Sequence, residues 1–127
     1  MQRVPNSTLV RLESVADIDA LPTDTCAVLV ASLDDRKLAA LRRLNVLWIL
    51  YQDGHCRVTD DGLCYLVTFP ELERLDLQGS TEITDQGLPQ LRLLRGLRWL
   101  NLIGCRRLTE GAITGLRLAL PRCEIIA

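Results

Sequence analysis

Between residues 72 and 110 one pattern of apolar and polar positions occurs twice. Leu72-x-x-Leu75-x-Leu77-x-Gly79 with Ile83-Thr84-Asp85 returns 25 residues later as Leu97-x-x-Leu100-x-Leu102-x-Gly104 with Leu108-Thr109-Glu110. A three-then-two spacing of leucines fits no helical stripe but fits a short strand entered by a bend. In such a strand Leu75 and Leu77 face the core, Arg74, Asp76 and Gln78 face away, and a one-residue slip inverts the pattern. After each strand a turn leads to Thr with an acid behind it, at Thr59-Asp60, Thr84-Asp85 and Thr109-Glu110. This is a helix start: the hydroxyl accepts an orphan amide bond and the acid faces the positive end of the helix dipole. Leu63 and Leu66, Leu88 and Leu91, and Ile113 and Leu116 then pack inward. Pro89 removes a helical donor, so the middle helix is expected to begin late or stay irregular, and all these helices should be short.

Stepping the period back from Leu72 and Leu75 reaches Leu47 and Leu50, and Val58-Thr59-Asp60-Asp61-Gly62-Leu63 falls in register with Ile83 to Leu88. A further step gives Val28-Leu29-Val30 and Leu33-Asp34-Asp35, three residues shorter between strand and turn. The expected organisation is a single domain, 1–127: an eroded N-terminal cap over 1–26, repeats over 27–120 and a closing strand over 121–127. Units of this period cannot bury their apolar faces alone; they stack into a solenoid of about four to five repeats and present an extended surface, not a cleft.

The segment Leu97-x-x-Leu100-x-Leu102-x-Gly104-Cys105-x-x-Leu108-Thr109-Glu110 and its copy ending Ile83-Thr84-Asp85-Gln86-Gly87-Leu88 resemble the cysteine-containing subclass of leucine-rich repeats. The resemblance covers 27–127 and implies an α/β fold with short parallel strands on a concave face and short helices on a convex one. Cysteine stands at its place only at Cys105, with Ser80 and His55 in the other two copies, and Gln52 occupies a slot that should hold a buried leucine. Ser80 and Cys105 are expected to turn inward and satisfy backbone groups of the turn. His55 either does the same or is exposed on a turn rebuilt around Asp53-Gly54. A second resemblance runs through Leu21-Pro22, Leu33-Asp34, Leu38, Leu41 and Trp48, which look like the degenerate pattern of an F-box, the helical module that docks a substrate receptor onto a ubiquitin-ligase scaffold. The same residues also read as a repeat, because Val28-Leu29-Val30 prefers a strand.

Composition agrees with the repeat: 26 leucines against five aromatics, one small aliphatic side chain filling the same slot in each unit. Net charge is -1, which gives no global reason to expect nucleic acid or an acidic membrane. The charges are unevenly placed, however. Residues 1–88 hold eight Lys/Arg against 14 Asp/Glu, while residues 89–127 hold seven Arg against Glu110 and Glu124 alone. Either these are solvated helix faces and turns, or they form a bipolar surface that steers a charged partner or promotes self-association between the acidic N-terminal and basic C-terminal parts. Five cysteines without CxxC spacing, and no secretory apolar core, imply reduced thiols in the cytoplasm. The apolar run Val46 to Tyr51 is too short to span a bilayer.

Candidate chemistry is thin. His55 and Cys56, with Asp53, Asp60 and Asp61 near in sequence, are the only nucleophile and base to weigh; adjacent residues point apart and no third group orients the imidazole. His55, Cys56 and Cys64 supply three zinc ligands at most. Gly54, Gly79 and Gly104 recur at the repeat period and serve turns, not phosphates. No enzyme activity, cofactor or metal is expected. Arg92, Arg95, Arg106, Arg107, Arg117 and Arg122 lack interleaved aromatics, which argues against nucleic acid. The expected site is the concave strand face, binding another protein through Ile49, Tyr51, Asp53, Arg74, Asp76, Gln78, Trp99, Asn101 and Ile103. Trp99, Tyr51 and Arg74 serve as anchors, and Asp76, Asn101 and Gln78 confer polar specificity.

Overall fold

Six short strands lie side by side in chain order, every neighbouring pair parallel: β1 (Arg11–Leu12), β2 (Ala27–Val30), β3 (Trp48–Tyr51), β4 (Arg74–Asp76), β5 (Trp99–Asn101) and β6 (Glu124–Ile126). The computed structural model describes residues 11–51 and 56–127, Tyr51 by its backbone alone. Parallel neighbours need a crossover. It is made by α1 (Val15–Asp19), α2 (Asp35–Ala40), α3 (Asp60–Leu63), α4 (Leu88–Leu91) and α5 (Glu110–Ala119), with 3-10 turns at Leu41–Arg43, Cys64–Thr68 and Asp85–Gly87. Strand and helix thus alternate along the described chain, an α/β architecture of repeat type. Pro89 acts as expected: a 3-10 turn opens that segment and the α-helix begins at Leu88 with the proline in its first turn. No helix among the described residues is long and apolar enough to cross a membrane.

One face of the sheet is buried. Ile49, Leu75, Leu100 and Ile125 stand in register across β3 to β6, and with Leu77 and Leu102 they pack against the helix leucines Leu38, Leu63, Leu88 and Leu116 in one core. No helix among the described residues packs on the opposite face, and the register decides what it displays. Trp48 pairs with Arg74, 26 residues on, whereas Arg74 pairs with Trp99, 25 residues on. The helix starts all keep the 25-residue interval, with N-caps at Asp34, Thr59, Thr84 and Thr109. The turn after β3 therefore holds one more residue than its successors, and β3 sits one place earlier than the 25-residue step puts it. Ile49, expected on the outer face, is fully buried in the core, and Trp48 takes the outer position.

The expected Thr helix caps form: Thr59, Thr84 and Thr109 accept the amides of Gly62, Gln86 and Ala112. The acids behind them do more than face their own helix dipole. Asp35 accepts the amide and hydroxyl of Thr59 at 2.9 and 2.5 Å, Asp60 those of Thr84 at 2.8 and 2.5 Å, and Asp85 those of Thr109 at 3.0 and 2.8 Å. Each unit thus caps the next through a carboxylate that reaches across the stack. Glycine makes room for it, because a Cβ on Gly62 would lie 1.8 Å from Asp35 Oδ1 and one on Gly87 2.3 Å from Asp60 Oδ1.

Gly79 and Gly104 turn the chain after β4 and β5 at φ 79°, a left-handed conformation that only glycine adopts freely. In the shorter unit that place falls to Ser32, at φ 52°. Lys37 secures it: buried, and standing where later units have Gly62 and Gly87, it donates from Nζ to Ala31 O and Ser32 O at 2.9 and 2.8 Å. At the other end of this unit Arg43 donates to the carbonyls of Ile18, Asp19 and Leu21, which closes the C-terminus of α1. The segment 21–48 thus supplies β2 and α2 to the stack.

Candidate functional site

Parallel pairing lines up equivalent residues of the open face into rows. The first row runs Trp48, Arg74, Trp99 and Glu124. Neighbouring strands are about 4.8 Å apart, close enough for flat side chains in one row to stack. They do: the Arg74 guanidinium carbon lies 5.1 Å from the ring centroid of Trp48 and 5.6 Å from that of Trp99. An exposed cation between two indoles gains about 0.5–1 kcal/mol per ring and loses the freedom of its long side chain. The guanidinium thus lies over both rings. Among the described residues its N–H groups have neither a hydrogen-bond nor an ion-pair partner, the one ion pair there being Arg11–Glu13 at 3.7 Å.

The second row holds Leu50, Asp76, Asn101 and Ile126. Asp76 Oδ1 accepts the Gln78 amide at 3.1 Å and Asn101 Oδ1 accepts the Ile103 amide at 3.0 Å. Both are turns closed by a side chain on the amide two residues on, and they end their strands. Asn101 also donates Nδ2 to Gln78 Oε1 at 3.1 Å and is buried. Half-burial pushes the Asp76 carboxyl above its ordinary range, against the opposing pull of the Gln78 amide and the Asn101 side chain. Asp76 and Asn101 are therefore engaged with their own chain, and the exposed groups past them are Gln78 and Ile103.

Of the nine residues expected at this site, the structure brings Arg74, Trp99, Asp76, Gln78, Asn101 and Ile103 onto the open face and removes Ile49 to the core. Tyr51 ends β3, its backbone paired with Val30, and its side chain lies outside the described residues, as does Asp53. The residue that sequence reasoning missed is Trp48. A signal for it existed: the 25-residue step assigns polar Gln52 to an apolar slot, whereas a 26-residue step places Val46, Ile49 and Tyr51 opposite Leu72, Leu75 and Leu77.

Cys56 is buried, and its Sγ accepts from Ser80 Oγ at 2.6 Å; His55, expected in the cysteine slot, lies outside the described residues. Ser80 is buried as expected, and Cys105 donates Sγ to Leu77 O at 3.3 Å, the expected inward turn. Burial raises the Cys56 thiol and pushes Cys105 up to about 11, so both stay protonated and poorly nucleophilic at neutral pH. Among the described residues no three His, Cys, Asp or Glu side chains converge as for a metal ion. Compared with protein-family models and with curated proteins, the chain matches none.

Proposed function

We propose that this chain is a non-catalytic leucine-rich-repeat module of the cysteine-containing kind, which works in the cytoplasm by binding another protein across the concave, helix-free face of its sheet. The observation that carries this reading is the Trp48–Arg74–Trp99 stack. Both tryptophans of the chain and an arginine without a polar partner stand together on that face. Trp and Arg dominate interface hot spots, and placing them on an open sheet is costly for solubility unless a partner covers them. The F-box reading gains no support, because 27–30 forms a strand of the stack. Association of the acidic N-terminal part with the basic C-terminal part of a second copy remains an additional proposal, tested by the salt dependence of the sedimentation coefficient.

The test is affinity capture from native lysate with the parent chain beside a Trp48→Ala/Arg74→Ala/Trp99→Ala variant of matched thermal midpoint. Loss of a captured protein with the variant supports the reading. A set of bound proteins indifferent to all three substitutions would sink it.

A further inference from the structure

We infer that Arg74, held between Trp48 and Trp99, is a receptor for a single carboxylate side chain on an extended, otherwise apolar segment of the partner protein. This rests on the open-face reading above and gives it a ligand chemistry. Three other arginines donate to backbone carbonyls: Arg43 to three of them, Arg117 Nη2 to Ile125 O and Arg42 Nε to Ala39 O. Arg74 has the opposite arrangement. Its guanidinium lies over two indole rings and its side chain is exposed, yet its N–H donors bond nothing among the described residues. A planar fork of donors oriented in advance is the geometry that a carboxylate accepts with two parallel hydrogen bonds.

The acids nearby do not fill that role. Asp76, on the same face, spends its carboxylate on the Gln78 amide and on Asn101. Glu124 lies across Trp99 in the same row and makes no ion pair with Arg74. The same two acids choose among anions. A phosphate dianion generally recruits several cations, and the row offers one cation with two carboxylates beside it. A single negative charge on a flat group suits this balance. The indoles and the exposed Ile103 would meet the apolar neighbours of that acid along an extended chain.

The chain reports on its own site, because its two tryptophans are the two walls of the stack. Three synthetic peptides, Val- and Thr-rich and identical but for a central glutamate, glutamine or phosphoserine, are titrated against the full chain with intrinsic tryptophan fluorescence as readout. The glutamate peptide should give a saturable change. The glutamine peptide should bind about tenfold more weakly or worse, the ratio expected for losing a charge-assisted bidentate contact. Arg74→Met should lose the preference for glutamate and Arg74→Lys should keep only part of it, since ammonium retains the charge without the fork. Circular dichroism and the thermal midpoint establish that each variant is folded. Equal binding of the glutamate and glutamine peptides, or an unchanged preference in Arg74→Met, overturns the inference. Tighter binding of the phosphoserine peptide overturns it in favour of phosphate. If none of the three binds while lysate capture still depends on Trp48 and Trp99, the carboxylate assignment fails and the open-face reading stands; if capture is indifferent to them, both fail.

Discussion

Gly62→Ala should change sign as a stability mutation when Asp35 is removed. At an ordinary helical position alanine is favoured over glycine by about 0.8–1 kcal/mol. Gly62 lies in α3 without a left-handed φ, so its backbone accepts alanine. The three atoms nearest the new Cβ all belong to one side chain, Asp35, at 1.8 Å from Oδ1, 2.5 Å from Cγ and 3.2 Å from Oδ2. The carboxylate must leave, and with it go the bonds to the Thr59 amide and hydroxyl at 2.9 and 2.5 Å. Charge-assisted bonds of this kind are worth about 1.5–3 kcal/mol each when buried, so for a half-buried pair we take about 2–3 kcal/mol together. Subtracting the helical gain, Gly62→Ala should destabilise the parent by about 1–2 kcal/mol. In an Asp35→Ala background the carboxylate is no longer there to displace, and Gly62→Ala should stabilise by about 0.5–1 kcal/mol.

Urea unfolding followed by circular dichroism gives the four stabilities of the cycle, with an expected coupling of about 2–3 kcal/mol. Gly111→Ala is the control, since nothing lies within 4 Å of its Cβ, and it should stabilise by about 0.5–1 kcal/mol in either background. A Gly62→Ala variant more stable than the parent would refute the claim that the carboxylate fills that space. An equal loss in both backgrounds would show that some other group pushes back.

Four further outcomes follow from particular side chains. Ser32→Gly should raise stability by about 0.5–1 kcal/mol in the same unfolding assay, because Ser32 bears a left-handed φ that Gly79 and Gly104 adopt in later units. Cys64 is exposed and should react with a thiol reagent at pH 8 well before buried Cys56 and Cys105; these two should react only with unfolding, as mass spectrometry of timed samples would show. Cys105 and Cys123 hold their protons up to about 11 in the folded chain against 9.0 ordinarily, so the unfolded state binds fewer protons between those values; stability should fall across pH 9 to 11, less steeply in a Cys105→Ala/Cys123→Ala variant. Asp76 is likewise raised, so its charge opposes folding at neutral pH; Asp76→Asn should be the more stable chain at pH 7, and its advantage should fade as pH falls below about 4, where the parent carboxyl is protonated in both states.

What the sequence made legible is what a repeat states more than once. Leu75 and Leu100 face the core, Thr59, Thr84 and Thr109 cap helices, and Pro89 delays one, each because the local chemistry alone demands it. The illegible parts depend on two units at once. The acid behind each threonine looks like a dipole partner until the stack brings the next threonine within reach; only then does the glycine three residues past each Thr59 and Thr84 acquire its reason. The register of β3 is the sharper case. A strand carries its own inside-outside alternation, but Leu47-Trp48-Ile49-Leu50 is apolar at every position, so neither phase is marked by a polar residue. The arbiter had to come from outside the strand, in the cost of burying Gln52, and reading that anomaly as a one-residue insertion would have put Trp48 opposite Arg74. The same degeneracy gives the face its character: burial claims Ile49 and leaves the larger, flatter Trp48 outside, where the neighbouring strands already present a guanidinium and a second indole. A core constraint on one side of the sheet thus assembles the candidate site on the other.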